Sequence, residues 1–138
     1  MTYNARMAMN MKNNPLQPMV SLIETISPLA RLELLLLIGA GEACVCHLET
    51  SLGYRQAYIS QHLMALRQAG LLASRREGKY VFYRLVKPEI LTLIQQVANI
   101  SGVSLPVIEP ISPEKQCVCP NCSPEVIENL VIPSVVHA

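Results

Sequence analysis

The string QAYISQHLMALRQAGLLASRREGKYVFYRL occupies residues 56–85, and its reading decides the fold. Ile59, Leu63 and Leu66 recur at helical spacing over Gln56 to Gln68, and Gly70 stands where a C-terminal cap belongs. The period then changes from 3.6 to 2. Leu71 to Arg76 and Lys79 to Leu85 alternate as two strands around Glu77-Gly78, a two-residue hairpin turn.

Upstream, Ala43 to Leu52 reads as a short helix stopped by Gly53. Before it, Leu29 to Ile38 is a heavily buried helix closed by Gly39-Ala40-Gly41, with Ser27 as N-cap and Pro28 at the first helical position. Leu16, Met19, Val20, Ile23 and Ile26 give a first amphipathic helix. Downstream, Pro88 opens a fifth helix carrying Ile90, Leu91, Leu93, Ile94, Val97, Ala98 and Ile100, apolar on more than one side. The expected fold is mainly α with a small β-hairpin wing: a winged helix-turn-helix whose second helix enters the DNA major groove. Residues 1–14 read as a flexible arm, 15–102 as the DNA-binding and dimerisation domain, and 103–138 as a proline-bearing tail with one short helix after Ser123-Pro124-Glu125.

With 138 residues the chain suits one domain. Net charge is +1, but the charge is unevenly spread: residues 54–87 carry +6 and the remainder −5. A basic island within a neutral chain suits a polyanion on one face. Six aromatic residues, none of them Trp, argue against a stacking platform for single strands. All ten acids are Glu, which excludes any site built on Asp. No secretion signal precedes Pro15, and the uncharged run from Ile90 to Ile108 is broken by Gln95, Gln96, Asn99 and Pro106. A cytoplasmic chain without a membrane partner is expected, and its five cysteines then read as metal or thiol chemistry rather than disulfides.

Four segments together resemble the ArsR/SmtB family of bacterial metal-sensing repressors: Ser27-Pro28-Leu29-Ala30-Arg31-Leu32, Cys44-Val45-Cys46-His47-Leu48, Ile59-Ser60-Gln61-His62-Leu63 running on through Leu66-Arg67-Gln68-Ala69-Gly70-Leu71-Leu72, and Arg76 to Leu85. The likeness covers roughly residues 20–100. It implies a homodimer joined through the first and last helices. It also implies operator binding without inducer and release when inducer binds.

Cys44 and Cys46 offer soft thiolates suited to As(III), Cd, Pb, Zn, Cu(I) or Hg(II). Spacing i,i+2 sets them about 200° apart on a regular helix. Joint chelation therefore needs a distorted first turn. The alternative is two small buried core residues. Cys117, Cys119 and Cys122 form a second cluster in the tail, able to complete the first site or to make its own. His47 is a ligand, a phosphate contact or a surface residue, and His137 is incidental. The family's zinc site on the last helix is expected to be absent, because that segment has no Asp or His.

Gln56, Tyr58, Ser60, Gln61 and His62 lie on the first turns of the recognition helix and can reach base edges or phosphates, His62 having a helix-contact alternative. Arg75, Arg76 and Lys79 flank the hairpin turn and suit backbone or minor-groove contact. No nucleophile–base pairing or phosphate-binding glycine loop suggests an enzyme. The reading is a repressor that binds double-stranded operator DNA as a homodimer and is released by a thiophilic ion. A thiol redox or persulfide sensor of the same fold is the near alternative, and a metal-sequestering protein that never meets DNA is the distant one.

Overall fold

The computed structural model describes residues 13–106. The arm before residue 13, and the tail from 107 with Cys117, Cys119, Cys122 and the expected short helix, lie outside the described residues. The elements run α1 (Gln17–Ile26), α2 (Leu29–Ile38), β1 (Glu42–Cys44), α3 (Val45–Leu52), α4 (Gln56–Gln68), β2 (Leu72–Glu77), β3 (Tyr80–Leu85) and α5 (Glu89–Ser101). They form a winged helix-turn-helix, as expected. Among the described residues no helix is long and apolar enough to cross a membrane.

The core gathers where the helical periods predict. Leu34 and Leu35 of α2, Leu48 of α3, and Ile59, Leu63 and Leu66 of α4 are fully buried in one cluster. Each such side chain contributes roughly 1.5–3 kcal/mol by leaving water, and truncating one to Ala costs about 2–5 kcal/mol once the cavity is included. This cluster sets the angle of α4 against α2 and α3, so the outer face of α4 is presented on a rigid base.

Three local expectations are corrected. Ser27 does not cap α2; it is the C-cap of α1, and its hydroxyl donates to the Glu24 carbonyl. Pro28, in extended conformation, takes the N-cap position of α2. The hairpin turn is Gly78-Lys79, because Glu77 and Tyr80 are still paired across the ladder. Gly78 has φ 60 at the first loop position, where a II′ turn calls for glycine. The third correction concerns Ala43 and Cys44, which belong to a strand rather than to the third helix. β1 pairs antiparallel with β3 through Glu42–Arg84, Ala43–Tyr83 and Cys44–Phe82, making a three-stranded sheet of order β1-β3-β2. Cys44 and Phe82 are buried together as its own small cluster.

α1 and α5 keep apolar side chains on the surface. Met19, Ile23, Val97 and Ile100, with Val103 just beyond α5, are each more than half exposed. Between the two helices runs an apolar groove of about 420 Å³, lined among others by Ile23, Leu93, Val97, Val103 and Leu105.

Candidate nucleic-acid interface and thiolate pair

With Ile59, Leu63 and Leu66 facing inward, α4 leaves Gln56, Tyr58 and Gln61 exposed and Ser60 and His62 half-buried. Tyr54, Tyr58 and His62 form a ladder along one edge of the helix, with ring centroids 5.1 Å and 4.5 Å apart and edge-to-face tilts. The ladder is tied to α2 at both ends. The Tyr54 hydroxyl donates to Glu33 Oε2 at 2.8 Å, and this bond holds the phenol above its usual pKa. At the other end, Arg31 Nε donates to His62 Nδ1 at 3.0 Å, and Arg31 Nη1 donates to the Thr25 carbonyl in α1. Arg31 therefore links the end of α1 to the recognition helix. His62 is both a helix–helix contact and a resident of the outer edge.

Burial, reinforced by the Arg31 guanidinium, holds the His62 imidazole below its ordinary value of 6.5. Protonation at Nδ1 would set two donors against each other and break the bond to Arg31. The unfolded chain thus takes up its proton first as acidity rises. The stability from this group is complete above the unfolded value and is lost as pH falls below it. Urea midpoints at about pH 7.5 and 5.5 should drop toward acid, and His62→Gln should make that drop smaller.

The wing separates its basic residues into two kinds. The Arg75 guanidinium grips Glu42, with Nε 2.8 and 2.9 Å from the two carboxylate oxygens, and reaches Glu77 Oε2 at 3.0 Å. It also lies over the Phe82 ring at 4.3 Å. The Glu42 and Glu77 carboxylates push its pKa further up. Arg75 is engaged within the sheet, whereas Arg76 and Lys79 are exposed at the turn. Lys79 Nζ sits 5.4 Å from the Tyr80 ring centre.

The two thiols differ. Cys44 is the N-cap of α3 in extended backbone, and its sulfur accepts the His47 backbone N–H at 3.1 Å. Its side chain is buried against Phe82. The pair is therefore not on a regular helix but at a strand-to-helix junction. Cys46, in the first turn, is half-buried and touches the same cluster. His47 is half-buried, and burial lowers its pKa. Among the described residues no three of His, Cys, Asp and Glu come together in a metal-binding group. Two soft donors are present, so they fit a thiophilic ion only as part of a larger ligand set.

Cys46 lines a cleft of about 370 Å³ with Glu49, Gln56, Ser60, Lys79 and Tyr83. Sequence reading missed Glu49, although its i,i+3 spacing from Cys46 placed it on the same face of α3. It also missed Glu42, for which only the unforeseen β1 gives a role.

These features define a winged helix-turn-helix protein with a polar recognition helix and a thiol pair at the junction before it. A family model described as bacterial regulatory protein, arsR family, matches residues 30–74. The chain is 45% identical over 67 residues to the arsenical resistance operon repressor of Escherichia coli K12, covering 48% of this chain and 57% of that one. Against the arsenical resistance operon repressor of Staphylococcus aureus it is 31% identical over 101 residues, 73% of this chain and 88% of that one. The homodimeric winged helix-turn-helix domain of a possible ArsR-family regulator from Mycobacterium bovis superposes with TM-score 0.56 at 25% identity, over 74% of this chain and 90% of that one. The chain belongs to the bacterial arsR family, a family of regulators and not of enzymes. It spans 43–63% of the length of four curated relatives that it matches at 40% identity or better.

Proposed function

We propose that this protein is a transcriptional repressor that binds operator DNA as a homodimer and leaves it when cysteine thiolates capture a thiophilic ion: As(III), Cd, Pb or Zn. The observation that carries the reading is Cys44-Val45-Cys46 at the entry to α3, the helix that supports the recognition helix. Residues 15–102 form the DNA-binding and dimerisation unit, 1–14 an arm, and 103–138 a tail whose Cys117, Cys119 and Cys122 supply the remaining sulfur donors. The protein acts in the cytoplasm, where thiols stay reduced. The exposed apolar faces of α1 and α5 support the dimer, and the named relatives support an arsenic-class inducer.

On α4, Gln56, Tyr58, Ser60, Gln61 and His62 meet the major groove. In the wing, Arg76 and Lys79 meet the backbone, while Arg75 first has to leave Glu42 and Glu77. The double variant Arg76→Ala/Lys79→Ala should bind every duplex more weakly. Its log K against log salt slope should be shallower by about 0.9 for each phosphate that the wing no longer neutralises. An unchanged slope removes the wing from the interface.

The deciding experiment is a mobility shift with duplex taken from upstream of the protein's own gene. Reduced protein should shift it, and Cd(II), Pb(II), Zn(II) or As(III) should reverse the shift. Release by polysulfide or oxidant alone, undone by dithiothreitol, would put the redox reading in its place. Ion binding with no shift at any salt would make it a sequestering protein.

A further inference from the structure

Resting on the repressor reading, we propose that the cleft between α3, the start of α4 and the wing seats the DNA backbone, with Cys46 in its lining, so that DNA and any group on Cys46 exclude each other. Release would then be direct competition for one site, not only a change in the spacing of two recognition helices.

The juxtaposition comes from three elements far apart in sequence. α3 brings Cys46 and Glu49, the first turns of α4 bring Gln56 and Ser60, and the wing brings Lys79 and Tyr83. Gln56, Ser60 and Lys79 are hydrogen-bond donors of the kinds that hold phosphate oxygens in protein–DNA contacts. They converge on one cleft of about 370 Å³, on the side where the recognition helix and the wing tip meet. The exposed Lys79 of the wing and the first turns of α4 line this cleft together. Cys46 lines the same space.

The lining carries one positive and one negative group, so exclusion rests on volume and not on charge. Lys79 comes from the wing, and Glu49 stands with Cys46 on α3. A thiolate that has taken an ion brings the ion's other ligands into the volume the backbone needs, and an alkyl group does the same without any ion. Cys44 is different, being only 1% exposed, packed against Phe82 and outside the residues that line the cleft.

The test needs no metal. Full-length protein carrying Cys44→Ala, Cys117→Ser, Cys119→Ser and Cys122→Ser keeps Cys46 as its single thiol. Its alkylation by N-ethylmaleimide is timed with and without a 30-base-pair duplex at low salt. The duplex should slow alkylation at least tenfold, and high salt should remove the protection. Pre-alkylated protein should bind the duplex at least tenfold more weakly than untreated protein, while treatment of the further variant Cys46→Ser with the reagent should leave that variant's own duplex affinity unchanged. Because Cys44→Ala removes a buried N-cap, the folding of the single-thiol protein is checked by its urea transition, which should stay cooperative; a lost transition would mean that the fold has opened. In that case the same protection is read in wild-type protein by peptide mapping of the alkylated Cys46. Equal alkylation rates in a protein that does bind duplex overturn this proposal and leave the repressor reading standing. Failure to bind any duplex overturns both.

Discussion

Cys46→Ser protein will remain on operator DNA at ion concentrations that remove the wild type completely. Sulfur-to-oxygen exchange keeps the size of the side chain and removes the soft donor that selects a thiophilic ion. Tenfold release requires only about 1.4 kcal/mol of coupling, small beside the free energy of thiolate coordination, so a small difference in ion affinity between the two states suffices; without Cys46 an ion held by the other sulfurs no longer grips the first turn of α3, and that difference should vanish. Cys44→Ser gives the same loss of release with a second effect. Serine is a good N-cap and can still accept from the His47 N–H, so α3 stays capped. Its hydroxyl now lies against Phe82 in an apolar cluster, which should lower stability by about 1 kcal/mol. Truncation before Cys117 should weaken ion affinity and blunt release while DNA binding stays intact. Titration of operator-bound protein with Cd(II) or As(III), followed by anisotropy, reads all three variants. Full release of Cys46→Ser by the ion would remove this residue from the sensor.

Val97→Glu will break the proposed dimer. Val97 is 52% exposed in the isolated protomer and lines the groove between α1 and α5. In a two-fold interface each substitution counts twice, placing two carboxylates where apolar surface is covered. An unpaired charge buried this way costs several kcal/mol, so the dimer dissociation constant should rise at least about a hundredfold. Operator affinity should fall with it, because one protomer holds only one half-site. Ile94 is a poor site for the same experiment. It is 6% exposed and belongs to the protomer core, so a glutamate there would unfold the chain rather than separate the copies. Sedimentation at micromolar concentration decides: a monomeric wild type, or a dimeric Val97→Glu protein, overturns the interface.

The recognition helix and the wing were legible because their signals are local. Ile59, Leu63 and Leu66 repeat within one helix, and β2 and β3 are joined by a two-residue loop. Pairing that is near in sequence leaves its mark within a short window. The thiol pair and the basic residues were also readable as residue types, since softness and charge belong to the side chain itself.

What each residue does with its chemistry was decided by partners far along the chain. β1 is three residues long, too short for an alternation to show, and exists because β3, some 40 residues later, offers it an edge. That pairing turned Cys44 from a helical residue into a buried N-cap. Arg75 and Arg76 are neighbours of the same charge, yet Glu42 takes Arg75 from 33 residues away and leaves Arg76 to solvent. His62 looks like any polar residue on the face of a recognition helix until Arg31, 31 residues earlier, donates to it. Composition and period determined the winged helix and its candidate chemistry. Only the tertiary structure apportioned that chemistry, because an ion pair or a hydrogen bond depends on distance in space, and a folded chain sets that distance without regard to separation in sequence.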